Sequence, residues 1–235
     1  MSRRLLFLIG GSGAYDAVAE AFIPAAGGAD SKIAVLLQSD EGWAKHKPEY
    51  VQPWTRRGVS QYYPIVPGED GALDLEAASA TLRDATGIFV GGGHTPTYHR
   101  LYATEPIRSV IRDRYRDHVP VAGVSAGALI AMENCVLTPG ETGDARLNIV
   151  AGLGLVGDLI IGVHFTERNN LPNVLDAMAQ TRTNTALGID EPACVVFEDG
   201  QFKGVLGRSV YEVVMSDFET GTYQVAECTA SYHGN

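Results

Sequence analysis

Short continuous apolar runs recur along this chain, separated by stretches with helical periodicity. Residues 5–9, 33–37, 62–66, 87–90 and 119–124 are apolar at nearly every position, and a polar or glycine-bearing loop follows each run. A run without alternation suits a strand buried on both faces. Between these runs, residues 14–22, 43–54, 73–85, 96–102 and 106–117 predict helices. Strands alternating with helices predict the α/β class, a mostly parallel sheet with helices on both faces. Beyond residue 125 the rhythm changes. A Gly/Thr-rich segment at 138–144 and a glycine-rich stretch precede a strand-like run at 159–165 and a helix at 171–182. Short strands at 193–197, 202–206 and 210–215 then predict a C-terminal antiparallel extension. No long linker, repeat or low-complexity tract intervenes, so residues 1–235 read as one domain.

Composition narrows the partners more than the fold. Apolar residues make up 45% and charged residues 20% of the chain, as expected of a globular protein. A formal charge of −10 argues against nucleic acid and against an anionic membrane surface as partners. Three widely spaced cysteines, Cys135, Cys194 and Cys228, match neither a zinc site nor a disulfide framework. They point to a reducing, cytoplasmic compartment and to no metal or other cofactor. The opening apolar run is too short for a signal peptide and leads directly into glycines. A homodimer remains open.

The chemistry centres on Gly123-Val124-Ser125-Ala126-Gly127, where a predicted strand passes into a predicted helix. Gly-x-Ser-x-Gly at such a junction is the pattern of a nucleophile elbow, a turn that exposes the serine hydroxyl above the sheet edge. The N–H of Ala126, at the start of the helix, is placed to receive a developing oxyanion. Two further glycine-rich turns end predicted strands. Gly10-Gly11-Ser12-Gly13 lacks the third glycine of a dinucleotide fingerprint and reads as a close-packed loop. Gly91-Gly92-Gly93-His94 could bring Gly92 or Gly93 forward as the second oxyanion donor.

Of six histidines, His164 ends a predicted strand and can share the rim with Ser125, with His94 as the rival. Asp190 and Glu191 lie at the end of another predicted strand. A serine, a histidine and a carboxylate on one rim have the logic of a serine triad.

These residues carry a family resemblance. The chain from about Leu5 to Val214 resembles the dipeptidase E and cyanophycinase family of serine peptidases. The anchors are the Gly91–Thr95 loop, the Ser125 elbow, His164-Phe165 with Arg168 four residues on, and Gly188-Ile189-Asp190-Glu191. The order serine, histidine, acid is similar to this family and differs from α/β-hydrolases. The resemblance implies a flavodoxin-like sheet akin to class I glutamine amidotransferases. It implies Ser125 as nucleophile, His164 as base, and Glu191 as the acid with Asp190 as the alternative. His94, Thr95 and Arg168 would then meet a small peptide substrate carrying an acidic residue. Two positions depart from the family. His94 stands where Asn or Asp is common, and Gly162-Val163 precede the histidine where cyanophycinases carry polar residues. With the compact length, the second departure favours a dipeptidase-like exopeptidase over hydrolysis of β-Asp-Arg. A glutamine amide hydrolase is disfavoured by serine at the elbow. A non-catalytic binding module is disfavoured because all three candidate groups are present.

Overall fold

The computed structural model describes residues 3–233. Five strands build a parallel sheet: β1 (Leu5–Ile9), β2 (Lys32–Leu36), β3 (Gln61–Ile65), β4 (Gly87–Val90) and β5 (Val121–Val124). The connecting helices are α1 (Tyr15–Ala26), α2 (Asp40–Thr55), α3 (Leu75–Asp84), α4 (Thr95–Tyr102) and α5 (Ile107–Arg116). Each predicted strand and helix of this half is present, with ends displaced by a few residues. The run at 62–66 is corrected to an exposed edge strand, β3, with Tyr63 and Pro64 facing solvent, whereas the other apolar runs are explained by side chains alternating between two cores. In β1, Leu6 and Leu8 pack with α3, α4 and α5, while Phe7 and Ile9 pack with α1 and α2.

After β5 the chain forms α6 (Ala126–Ala131), the hairpin β6 (Asn134–Leu137) and β7 (Asn148–Ala151), and a short helix α7 (Pro139–Thr142) between the hairpin strands. Next come β8 (Ile160–Val163), α8 (Leu171–Thr181) and β9 (Thr185–Ile189). Four strands close the chain: β10 (Ala193–Glu198), β11 (Gln201–Gly207), β12 (Val210–Asp217) and β13 (Thr222–Glu227). The antiparallel extension expected from the sequence is divided between two sheets. β10 and β11 join the edge of the central sheet, in the order β11-β10-β1-β5-β4-β2-β3. β12 and β13 join a second sheet, β13-β12-β9-β8, in which β8 and β9 are parallel. α8 covers one face of this second sheet through Val174, Ala177 and Met178. Among the described residues, no helix is long and apolar enough to cross a membrane.

Two consequences of this topology position the site. β1 and β5 are neighbours, so the turns after Ile9 and Val124 emerge side by side. β8 and β9 are parallel with Val163 beside Ile189, so His164 and the Asp190-Glu191 pair leave the second sheet at one edge. Gly10 forms the seam. Its N–H donates to the carbonyl of Ala193 at 3.0 Å, and its carbonyl accepts from the N–H of His164 at 3.3 Å.

Candidate active site

Ser125 stands between β5 and α6 with φ 52° and ψ −111°. A non-glycine residue pays for this conformation in steric strain, which persists only where the surroundings dictate it. The surroundings are close-packed backbone. A Cβ on Gly123 would sit 2.5 Å from the carbonyl oxygen of Gly127, and one on Gly127 would collide with the carbonyl of Val90. Both glycines of the Gly-x-Ser-x-Gly pattern are therefore required by the approach of strand to helix. The Ser125 N–H donates to the Ile9 carbonyl at 2.9 Å, which ties the elbow to β1.

His164 follows β8 and is 7% exposed. Its Nε2 lies 2.8 Å from Ser125 Oγ, and its Nδ1 lies 2.9 Å from Glu191 Oε1. Serine, imidazole and carboxylate thus form one hydrogen-bonded line. With Glu191 accepting at Nδ1–H, the neutral ring presents Nε2 to the serine proton. The hydrogen bond from His164 is the main influence holding the Glu191 carboxyl below the ordinary glutamate range, with help from Ser12 and the nearby Arg168 charge. Ser12 Oγ–H donates to the second oxygen, Oε2, at 3.0 Å.

Asp190 is the carboxylate that the structure separates from the histidine. It is buried and accepts from the N–H and Oγ1–H of Thr166 at 2.8 and 2.9 Å. Its geometry serves the loop after His164, while Glu191, one residue on, reaches the ring. A turn of the backbone decides between adjacent carboxylates, and periodicity carries no trace of it.

The glycine loop after β4 is divided. Gly92 lies against Ser125, since a Cβ there would be 3.4 Å from that of the serine. A Cβ on Gly93 would instead meet the Gln38 side chain. The Tyr98 hydroxyl donates to the Gly92 carbonyl at 3.1 Å and fixes the loop. His94 and Thr95, expected to meet substrate, spend their polar atoms elsewhere. The His94 ring bonds Thr97 Oγ1 at 2.9 Å and the Glu141 carbonyl at 3.0 Å. Thr95 is buried and donates from both N–H and hydroxyl to Glu141 Oε1. These residues pin α7 onto the start of α4. Glu141 is thereby a structural residue that the sequence reading missed. The capping box Thr138-x-x-Glu141 is the signal that could have found it.

Arg168 is exposed on the turn after His164, with its N–H donating to the His164 carbonyl at 3.0 Å. Among the described residues it forms no ion pair, yet its charge acts on Glu191. Cys135 and Cys194 are buried and Cys228 is half-buried. Burial pushes the Cys135 thiol up to about 12 and Cys194 higher still, so neither presents a thiolate at neutral pH.

Comparison with known proteins places the chain by sequence and by fold. Residues 72–205, more than half of the chain, match peptidase family S51. Cyanophycinase from Nostoc sp. is 26% identical over 198 residues, covering 82% of this chain and 66% of that protein. Cyanophycinase from Synechococcus elongatus is 28% identical over 199 residues, covering 82% and 61%. The chain thus spans about two thirds of the length of these curated relatives. Among solved structures, a peptidase from an acI-B1 Actinobacterium superposes with a TM-score of 0.70 at 18% identity, covering 96% of this chain and 95% of that one. A candidate peptidase E protein from Listeria monocytogenes superposes at 0.59 with 16% identity, covering 88% and 100%. These two likenesses bear on the fold.

Proposed function

The chain belongs to peptidase family S51, and from that premise we propose that it is a serine exopeptidase acting on small aspartyl peptides through an acyl-enzyme. The observation that carries the proposal is the line Ser125–His164–Glu191, with contacts of 2.8 and 2.9 Å. His164 Nε2 takes the serine proton as Oγ attacks the scissile carbonyl carbon. Glu191 stabilises the imidazolium that forms, and it remains a carboxylate to lower pH than an ordinary glutamate. The oxyanion is received by the Ala126 N–H, which has no carbonyl partner within its helix, and by the glycine loop at Gly92. The imidazolium then gives its proton to the leaving amine, and a water activated by the same ring releases the acyl group.

Gly11 gives this reading a steric test. A Cβ there would lie 2.7 Å from His164 Cε1, 2.8 Å from Nδ1 and 2.9 Å from Glu191 Cγ. Its φ is not in the left-handed region, so the clash falls first on these two side chains. Gly11→Ala is expected to cost about 100-fold in kcat/KM, the scale of a displacement of roughly 1 Å at reacting groups. Its circular dichroism should remain that of the wild type. Undiminished kcat/KM would contradict the placement of the ring.

One observation favours small aspartyl peptides over the branched Asp–Arg polymer, and a second supports recognition of the acidic residue that both would need. Gly162 and Val163, ahead of the histidine, are buried against the core and offer no polar side chain to a polymer. Arg168 offers a positive group on the rim of a protein whose net charge is −10. The competing reading, hydrolysis of β-Asp-Arg, draws on the cyanophycinase relatives. A panel of Asp-Leu, Ala-Leu, Asn-Leu, β-Asp-Arg and glutamine separates them. Asp-Leu should be cleaved fastest, and Arg168→Ala should erode its advantage over Ala-Leu about tenfold or more, the scale of a charge-assisted hydrogen bond. Equal rates on Asp-Leu and Ala-Leu reject the acidic preference. Fastest cleavage of β-Asp-Arg moves the protein to the cyanophycinase side.

A further inference from the structure

We propose that Ser12 is a positioning residue of this centre, acting through Glu191, and that the turn 10–13 is a cradle for the histidine–carboxylate pair. The inference rests on the assignment of Ser125, His164 and Glu191 as nucleophile, base and orienting acid.

The turn meets the site at each of its first three residues. Gly10 bonds the two segments that carry the pair, accepting from the His164 N–H and donating to the Ala193 carbonyl. A Cβ on Gly10 would overlap the carbonyls of Ile189 and Asp190, so the segment bearing Glu191 lies directly on the turn. Gly11 is the surface on which the imidazole and the Glu191 side chain rest. Ser12 then reaches the carboxylate itself, donating to Oε2 at 3.0 Å while Oε1 accepts from His164. Glycine and serine recur here because only their size and one hydroxyl fit these tasks.

The need for a second tether follows from exposure. The Glu191 side chain is 36% exposed, against 9% for that of its partner His164. A glutamate has three side-chain torsions, and water competes for a carboxylate that can swing outward. One hydrogen bond to the ring fixes one oxygen and leaves the plane of the group free. The Ser12 bond fixes the second oxygen, and with it the direction from which Nδ1–H is received. A hydroxyl donating to a carboxylate is a charge-assisted bond and stronger than a neutral one. Ser12 is itself exposed, so removal of its hydroxyl leaves no cavity and unpairs no buried group.

The test is a set of four variants assayed on Asp-Leu: Ser12→Ala, Ser12→Thr, Glu191→Gln, and Ser12→Ala combined with Glu191→Gln. Ser12→Ala is expected to lower kcat about tenfold with KM changed by less than about twofold, since the lost bond acts on the transition state. Ser12→Thr keeps the hydroxyl and should recover kcat to within about threefold of wild type. Glu191→Gln alone should lose about 100-fold or more. On that background Ser12→Ala should add less than about twofold, because the group it acts through is no longer a carboxylate. Wild-type kcat for Ser12→Ala beside an impaired Glu191→Gln overturns the role of Ser12 and leaves the triad assignment standing. So does a full tenfold loss added to Glu191→Gln, or a Ser12→Thr as slow as Ser12→Ala. Wild-type kcat for Glu191→Gln overturns the assignment beneath the proposal, and the proposal with it.

Discussion

Ser125→Ala is expected to lose about 10⁵–10⁶-fold in kcat on aspartyl dipeptides while the protein stays folded. In the folded chain the Ser125 hydroxyl meets His164 Nε2 at 2.8 Å. Alanine keeps the Cβ, and the elbow is held by backbone bonds and by Gly123 and Gly127, none of which involves the hydroxyl. Stability should therefore change little. What vanishes is the atom that bonds to the scissile carbon, and the oxyanion donors alone cannot replace it. Purified variant with unchanged circular dichroism, assayed against Asp-Leu, checks this. Activity close to wild type would place the nucleophile elsewhere.

His164→Ala should be nearly as damaging, and the double variant with Ser125→Ala should be no slower than either single one. Groups that act as a unit fail as a unit, and among the described residues His164 Nε2 is the acceptor that Ser125 Oγ meets. The stability readout separates this case from the first. The imidazole is 9% exposed and packs on Gly11, so its removal opens space beneath the rim, and Tm is expected to fall by a few degrees. Multiplicative losses in the double variant would show that His164 and Ser125 act independently.

The parallel half of the fold was legible because buried strands on both faces leave uninterrupted apolar runs, as in Leu5–Ile9 and Gly87–Val90. The fate of the last strands was not. Val195 and Val213 both belong to valine-rich runs, yet one pairs into the central sheet beside β1 and the other into the second sheet beside β9. Which edge a strand joins depends on contacts distant in sequence. The hairpin of β6 and β7 was missed for a related reason, since each strand has four residues and a helix interrupts their connection.

At the site the same division holds. The Ser125 elbow is written locally, in glycines whose absence of Cβ the strand–helix approach demands. His164 and Glu191 were reachable as strand-end residues, and the parallel pairing of β8 with β9 brings them together. The choice of Glu191 over Asp190 depends on where Thr166 lies, which no pattern around residue 190 encodes. His94 and Thr95 looked like substrate contacts because they follow a glycine loop. Their commitment to Glu141 required a residue 47 positions from His94 and 46 from Thr95. Ser12 sat in a turn whose sequence suggested only close packing, and its partner Glu191 is 179 positions distant.

Whether Ser125 carries the acyl group is read from pre-steady-state turnover of an activated aspartyl ester. Mixing the enzyme rapidly with aspartyl p-nitrophenyl ester makes acylation fast and release of the acyl group slow. A burst of nitrophenolate stoichiometric with enzyme is expected. Acid quench and peptide mapping should then place the aspartyl group on Ser125, and Ser125→Ala should show neither burst nor adduct. An adduct on another residue, or a burst that survives in Ser125→Ala, would contradict it.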